Sequence, residues 1–196
     1  MAPSINASST DLVQYVKSSL CIAAANARHP WHWPVLITSN QGRVVVLRGV
    51  DSEEGSWIFY TDLRTPKVQQ LVVNANEATA TFYHPKERAQ LRLRGKVNQL
   101  DEAIHTRYWD MLDIGQKSSY GAFSAPGSVI ESPSSGLSEN WLKNQPTAKE
   151  EDEAFKNFAI FSFKIEEVEL LLLLRDGHRR SSWEGWGGDN FKWLIP

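Results

Sequence analysis

A chain of 196 residues with 41% hydrophobic and 22% charged side chains is long and apolar enough to bury one sizeable core, which excludes disorder. Its formal net charge of -2 supplies no field to hold a polyanion, so no nucleic-acid partner is expected and any basic cluster must act locally on a small anionic ligand. Cys21 is the only cysteine, the longest apolar run (Leu170 to Leu174) is too short to cross a bilayer, and the opening MAPSINASST lacks the order of a secretory signal, which together point to a soluble, cytoplasmic protein with no membrane partner.

The first expected element is a helix capped by Asp11 or Thr10, whose Leu12, Val16, Leu20 and Ala24 form an apolar stripe before Asn26 to Pro30 ends it. From Trp33 to Val97 the pattern changes to short runs rich in Val, Ile, Thr and aromatics, read as strands at 33–39, 43–50, 56–61, 77–84 and 88–99. A helix interrupts them after the third: Thr65 offers a capping hydroxyl, Pro66 suits the first helical position, and Val68, Leu71 and Val72 give it a buried side. In the fifth strand Ala89, Leu91, Leu93 and Val97 share one face, while Gln90, Arg92, Arg94 and Lys96 share the other, which reads as a solvated basic exterior. A helix capped by Asp101 carries Ile104, Tyr108, Met111 and Leu112, and a loop region runs from Gly115 to Pro146. An acidic segment, Lys149 to Asn157, leads into strands at 159–166 and 168–175, then Arg179 to Trp183, a Gly-Gly-Asp-Asn turn and a final strand Phe191 to Ile195. Strands in sequence with few helices between them argue for a mainly β single domain over 1–196, closed into an antiparallel barrel with flanking helices.

Arg64, Thr65 and Lys67 gather where the third strand hands over to its helix, and the positive end of a helix already favours an anion such as phosphate. Arginine adds a planar fork matched to phosphate oxygens and lysine a mobile point charge. Arg43 and Arg48 bracket an apolar run, and their separation of five puts them on opposite faces of a regular strand. Two resolutions stay open: a bulge between them, or a ligand lying across the strand end and touching its backbone. His29-Pro-Trp-His32 has no nearby carboxylate or cysteine to complete a shell, so no metal is expected. Among the 8 tryptophans, Trp57, Trp109 and Trp193 read as core or interface residues, and Trp183 and Trp186 as candidate pocket walls.

The order Arg43-Val-Val-Val-Leu-Arg48, Phe59-Tyr60-Thr61-Asp62, Arg64-Thr65-Pro66-Lys67, then Glu87-Arg88-Ala89-Gln90 with Gly95 five further on, resembles the FMN-binding half of the pyridoxamine 5'-phosphate oxidase family, best over residues 33–100. The resemblance implies an antiparallel split β-barrel, a homodimer with FMN at the subunit interface, and a small-molecule substrate. It implies flavin contacts from Arg43, Arg48, Tyr60, Thr61 and Gln90, phosphate contacts from Lys67 with Arg64 or Thr65, and a further contact from Ser128. Arg179 would face the substrate as the catalytic-side residue. The chain also departs from the family. Thr65-Pro66-Lys67 replaces Ser-Arg-Lys with the arginine moved to Arg64, Arg48 replaces a lysine, and His178-Arg179-Arg180-Ser181-Ser182-Trp183 replaces His-Arg-Leu-His-Asp-Arg. Tyr108 and Ser118 match part of the substrate-phosphate set, while Leu112 stands where that set has its arginine, so a vitamin B6 phosphate loses a partner. The expectation is an FMN-dependent oxidoreductase. The alternatives are a flavin- or haem-binding protein that turns nothing over, and an interaction domain without a cofactor.

Overall fold

The computed structural model describes residues 3, 4 and 6–196. Helix α1 (Ser9–Ala25) starts one turn earlier than Thr10 or Asp11 would cap it. Ser8 Oγ accepts the Asp11 amide at 3.2 Å and the Asp11 carboxylate accepts the Ser8 amide at 2.8 Å, a reciprocal box that uses Asp11 from inside the helix.

Strands β1 (Val35–Thr38) and β2 (Gln41–Val44) form a hairpin, and β3 (Gly49–Asp51) pairs with β4 (Ser56–Asp62). The single strand expected over 43–50 is therefore two. Between β2 and β3 the amides of Val45, Leu47 and Arg48 donate to Pro34, His32 and Ile58 carbonyls, each at 2.9 Å, and Val45 and Leu47 turn into the core. The chain changes ladder partner there, because no regular strand can pair with β1 and β4 at once. Helix α2 (Pro66–Val73) follows, then β5 (Glu77–His84) and β6 (Ala89–Gln99), whose inward and outward residues alternate as the sequence requires.

Helices α3 (Glu102–Asp110), α4 (Ile114–Ser118), α5 (Glu139–Leu142) and α6 (Ala148–Asn157) precede β7 (Phe158–Leu172), β8 (Arg179–Glu184) and β9 (Asp189–Leu194). The acidic segment is thus α6, begun by a capping box of Thr147 and Glu150. The strands expected at 159–166 and 168–175 are one 15-residue strand, bulged where the register passes from Arg94 opposite Glu167 to Gly95 opposite Ile165, which leaves Glu166 without a register partner on β6. Val72 and Met111, expected on apolar helix faces, are exposed, and Leu71, His105 and Trp109 are the buried ones.

The described strands form one nine-stranded sheet in the order β2-β1-β5-β6-β7-β4-β3, with β8 on β7 and β9 on β8. Its ends, β2 and β3, are joined by the crossover and not by a ladder, so the barrel is split, not closed. Phe59, Trp57, Phe82 and Phe163 fill its interior with Leu71 of α2. Tyr60 pairs with Ile160 and faces outward, into a second cluster of Trp109, Tyr120, Trp141 and Phe158 contributed by β7 and the segment carrying α3 to α5. Thus β4 presents successive residues to two different cores.

Candidate functional site

Pro66 at the first helical position sets Lys67 in the opening turn of α2. Lys67 is half-buried and makes no hydrogen bond or ion pair among the described residues. Burial, and then the Arg43 charge, push its pKa down to about 8, with Asp62 opposing. Arg43 is held there by Gln41 and Gln70, each accepting at 3.0 Å, and Gln70 also accepts from Thr38 at 3.0 Å. Gln70 thereby ties α2 to the β1–β2 hairpin and holds Arg43 close enough for its charge to act on Lys67, with no carboxylate bonded to either among the described residues. Such a pair favours an anionic ligand, because a buried charge needs a partner.

Arg64 is differently engaged. Its Nε and Nη2 grip the buried Asp62 carboxylate at 3.0 and 2.6 Å, and Nη1 donates to the Ala122 carbonyl at 2.9 Å, which leaves only part of its donor set open. Thr65 is the N-cap residue, but its hydroxyl donates back to the Asp62 carbonyl at 2.8 Å and makes no cap bond. Thr61 is buried on the barrel side, 3.4 Å from the Thr65 hydroxyl. Arg64→Ala is expected to cost about 1–2 kcal/mol through the Asp62 carboxylate it leaves behind, and to raise amide exchange across 121–138. Unchanged exchange there would show that Ala122 is not anchored by Arg64.

Past the crossover, the Arg48 guanidinium lies 5.2 Å from the Tyr60 ring centroid, and its Nε is buried without an acceptor. Burial first, then Tyr108, push the Tyr60 phenol up to about 12, with Arg48 opposing. Among residues 45–48 the Val46 amide alone makes no hydrogen bond with the described residues. The partner switch therefore answers the five-residue puzzle: Arg43 stays with the β1–β2 wing and Arg48 packs on the β4 wing, with a free amide between.

Other expected residues lie apart. Gln90 is on β6, three strands from β2, and pairs with the exposed Tyr83 on the outer face. Ser128 is on an exposed turn closed by its amide on the Ala125 carbonyl. Arg179 donates to the Ala7 carbonyl at 3.2 Å and lies 4.2 Å over the Trp193 ring, pinning the N-terminal segment. Arg92 and Arg94 pair with Glu169 and Glu167, so that face is mixed in charge and not basic. Trp183 stacks on Phe191 in the barrel core and also lines a cleft of about 560 Å³ on the outer face, whereas Trp186 lies under Lys17. Neither that cleft nor one of about 460 Å³ beside Arg64 is lined by Arg43, Lys67, Arg48 or Tyr60. His29 Nδ1 accepts the Trp31 amide and His32 Nδ1 lies 2.6 Å from the Ala23 carbonyl, so each ring is locally engaged. Sequence reasoning missed Gln70 and Tyr120, and missed the Asp62–Arg64 pair although its two-residue spacing was a signal.

Residues 35–101 match the family model described as pyridoxamine 5'-phosphate oxidase, FMN-binding domain. A pyridoxine/pyridoxamine 5'-phosphate oxidase of Legionella pneumophila is 35% identical over 86 residues, 44% of this chain and 38% of that one. Its counterpart in Pseudomonas putida is 33% identical over 88 residues, 45% and 39% of the two chains. This chain thus spans well under half the length of these curated relatives in alignment. Among solved structures, a pyridoxamine 5'-phosphate oxidase-related, FMN-binding protein of Nostoc punctiforme superposes with a TM-score of 0.73 at 16% identity, covering 100% of both chains. PhzG of Burkholderia lata, solved with tetrahydrophenazine-1-carboxylic acid, gives 0.72 at 18% identity over 100% of this chain and 99% of that one. At such identities the likeness establishes the fold, a mainly antiparallel sheet with flanking helices of the split-barrel kind. FMN, the cofactor expected from residues 43 to 95, is the one the matching family model names.

Proposed function

From the likeness of residues 35–101 to the FMN-binding domain of the pyridoxamine 5'-phosphate oxidase family, we propose that the chain binds FMN and acts as an FMN-dependent oxidoreductase on a small molecule. The observation that carries this reading is a half-buried pair of cations, Lys67 in the first turn of α2 and Arg43 held near it by Gln70, with no carboxylate bonded to either among the described residues. In this reading they hold the flavin phosphate, helped by the donors that Arg64 keeps open and by the Thr65 end of α2. Arg48, Tyr60 and the Val46 amide lie toward the ring, Arg48 tuning its electron density. Gln90, three strands round the sheet, acts from a second copy in a homodimer, and Ser128 closes over the flavin from its loop. Arg179 turns to the substrate only on leaving the Ala7 carbonyl. Bound flavin supplies the redox chemistry by accepting a hydride or electrons, and the chain supplies position and electrostatics. A single unit over 1–196 in the cytoplasm fits the same reading, and among the described residues no helix is long and apolar enough to cross a membrane.

The visible absorption spectrum of the purified protein, with identification of what denaturation releases, tests the cofactor. An oxidised-flavin spectrum and released FMN are expected. Protein that is colourless and stays so with added FMN overturns the proposal, and bound flavin that neither amines nor pyridine nucleotides reduce leaves a binding protein without turnover.

A pH dependence follows from Lys67. In the free protein it loses its proton near pH 8, whereas a bound phosphate dianion favours the charged form, so binding above that pH takes up a proton. Affinity is expected to be level between about pH 7 and 8, where the phosphate is a dianion, and to fall above it, by at most about tenfold per unit. Lys67→Arg should remove the break, since an arginine keeps its proton throughout. A parent profile level to about pH 10 would count against Lys67 as the phosphate ligand.

A further inference from the structure

We infer that Arg48 with the phenols of Tyr60, Tyr108 and Tyr120 forms a receptor for a carboxylate carried on a planar ring, and that it prefers such a monoanion to a phosphate ester. The inference rests on the proposed flavin site, beside which this cluster lies, and adds to it the class of substrate.

The cluster is built by two wings of the fold. Tyr60 stands on the outward face of β4, Tyr108 on α3 and Tyr120 just beyond α4. The Tyr60 ring meets Tyr108 edge-on at 5.9 Å and Phe158 at 5.3 Å, and Tyr120 meets Phe158 at 4.9 Å, so Tyr60 and Tyr120 share the buried Phe158 ring and Tyr108 joins them through Tyr60. Arg48 lies over Tyr60, and both the Tyr60 and Tyr120 phenols stand within its electrostatic reach. None of the three hydroxyls has a hydrogen-bond partner among the described residues, and no carboxylate pairs with Arg48. Its Nε is buried without an acceptor. Unpaired donors around an unpaired cation are a demand for an oxyanion.

The charge available decides which oxyanion. Arg43 and Lys67 belong to the flavin phosphate in the proposed function. The Arg64 charge is balanced by Asp62, and that of Lys117, over the Trp109 ring, by Glu151 at 3.1 Å. Leu112 packs against the cluster and brings no charge. That leaves one positive charge, Arg48. A carboxylate matches it through the two-pronged geometry of a guanidinium, with phenolic O–H groups donating to its remaining lone pairs. A phosphate monoester dianion would keep a net negative charge against apolar walls and near the buried Asp62, whose charge also reaches Tyr120. The half-buried rings of Tyr60 and Tyr108 favour a ring behind the carboxylate.

Titration calorimetry with benzoate and phenyl phosphate tests this on the protein as purified, repeated with FMN at saturation. Benzoate is expected to bind at least about tenfold more tightly than phenyl phosphate, and Tyr108→Phe and Tyr120→Phe each to weaken benzoate by about three- to tenfold with FMN retention unchanged. Phenyl phosphate binding as tightly as benzoate, no benzoate binding at all, or benzoate binding indifferent to both variants would overturn the inference. A benzoate preference in protein that takes up no FMN would sink the cofactor reading alone. FMN uptake without that preference would sink the carboxylate receptor alone.

Discussion

The double variant Lys67→Ala with Arg43→Ala is expected to bind FMN roughly a hundredfold to ten-thousandfold more weakly than the parent. Each charge-assisted contact to a phosphate oxygen contributes about 1.5–3 kcal/mol, so each single variant should lose about ten- to hundredfold. The protein should remain folded. Lys67 has no hydrogen-bond or ion-pair partner among the described residues, and its lowered pKa means that the folded state holds its charge at a cost, so removing it relieves strain of an electrostatic kind. Among the described residues Arg43 gives up only bonds to Gln41 and Gln70. Flavin titration by fluorescence quenching reads the affinity, circular dichroism reads the fold, and Lys96→Ala on the exposed face serves as the control. A double variant that is folded and binds FMN within threefold of the parent would remove the phosphate assignment.

Gly95→Ala should destabilise the fold by about 3 kcal/mol, the upper part of the range for overpacking a core. Gly95 is buried at the point where β6 and β7 slip register, and a Cβ there would collide with the Lys164 carbonyl oxygen and crowd the Phe163 ring. The first contact is backbone, which cannot rotate aside as a side chain can. The bulge lets the two strands approach more closely than a Cβ permits, so the substitution has to push β7 outward along the pairing that joins the two wings of the sheet. Urea unfolding measures the effect, with Gly115→Ala, an exposed position where a Cβ meets only the Asp113 side chain at 3.3 Å, expected to shift the midpoint far less. An equal midpoint for Gly95→Ala would mean that the close approach of β6 to Lys164 is not a feature of the folded protein.

Apolar periodicity alone determined that α1, the helix after Pro66, and the alternating strand from Ala89 exist, because burial selects one face of each regular element and leaves a period that can be read. Residue order determined the gathering of charge at the start of α2, since Thr65-Pro66 fixes a helix boundary whatever the rest of the chain does. The likeness to an FMN-binding family rested on four short runs, and the comparisons return the same family over nearly the same residues. The helix over 148–157 also carries a local start signal, its Thr147 and Glu150 box, within a run too charged to show an apolar period.

Other features could not be read without the third dimension. Nothing local distinguishes a strand that continues from one that changes partner, so the break between Val44 and Gly49 awaited the placement of β1 and β4 on either side of it. The same holds for the side chains. Arg64 and Lys67 are three residues apart and look equivalent in sequence, yet Arg64 faces Asp62 and Ala122 while Lys67 faces Arg43. Tyr120 joins Arg48 across 72 positions only because α3 and α4 fold over β4. A sequence settles what each residue can form with its near neighbours, through backbone geometry and burial of one face. Which charges remain unpaired depends on groups distant along the chain, and only their packing decides that.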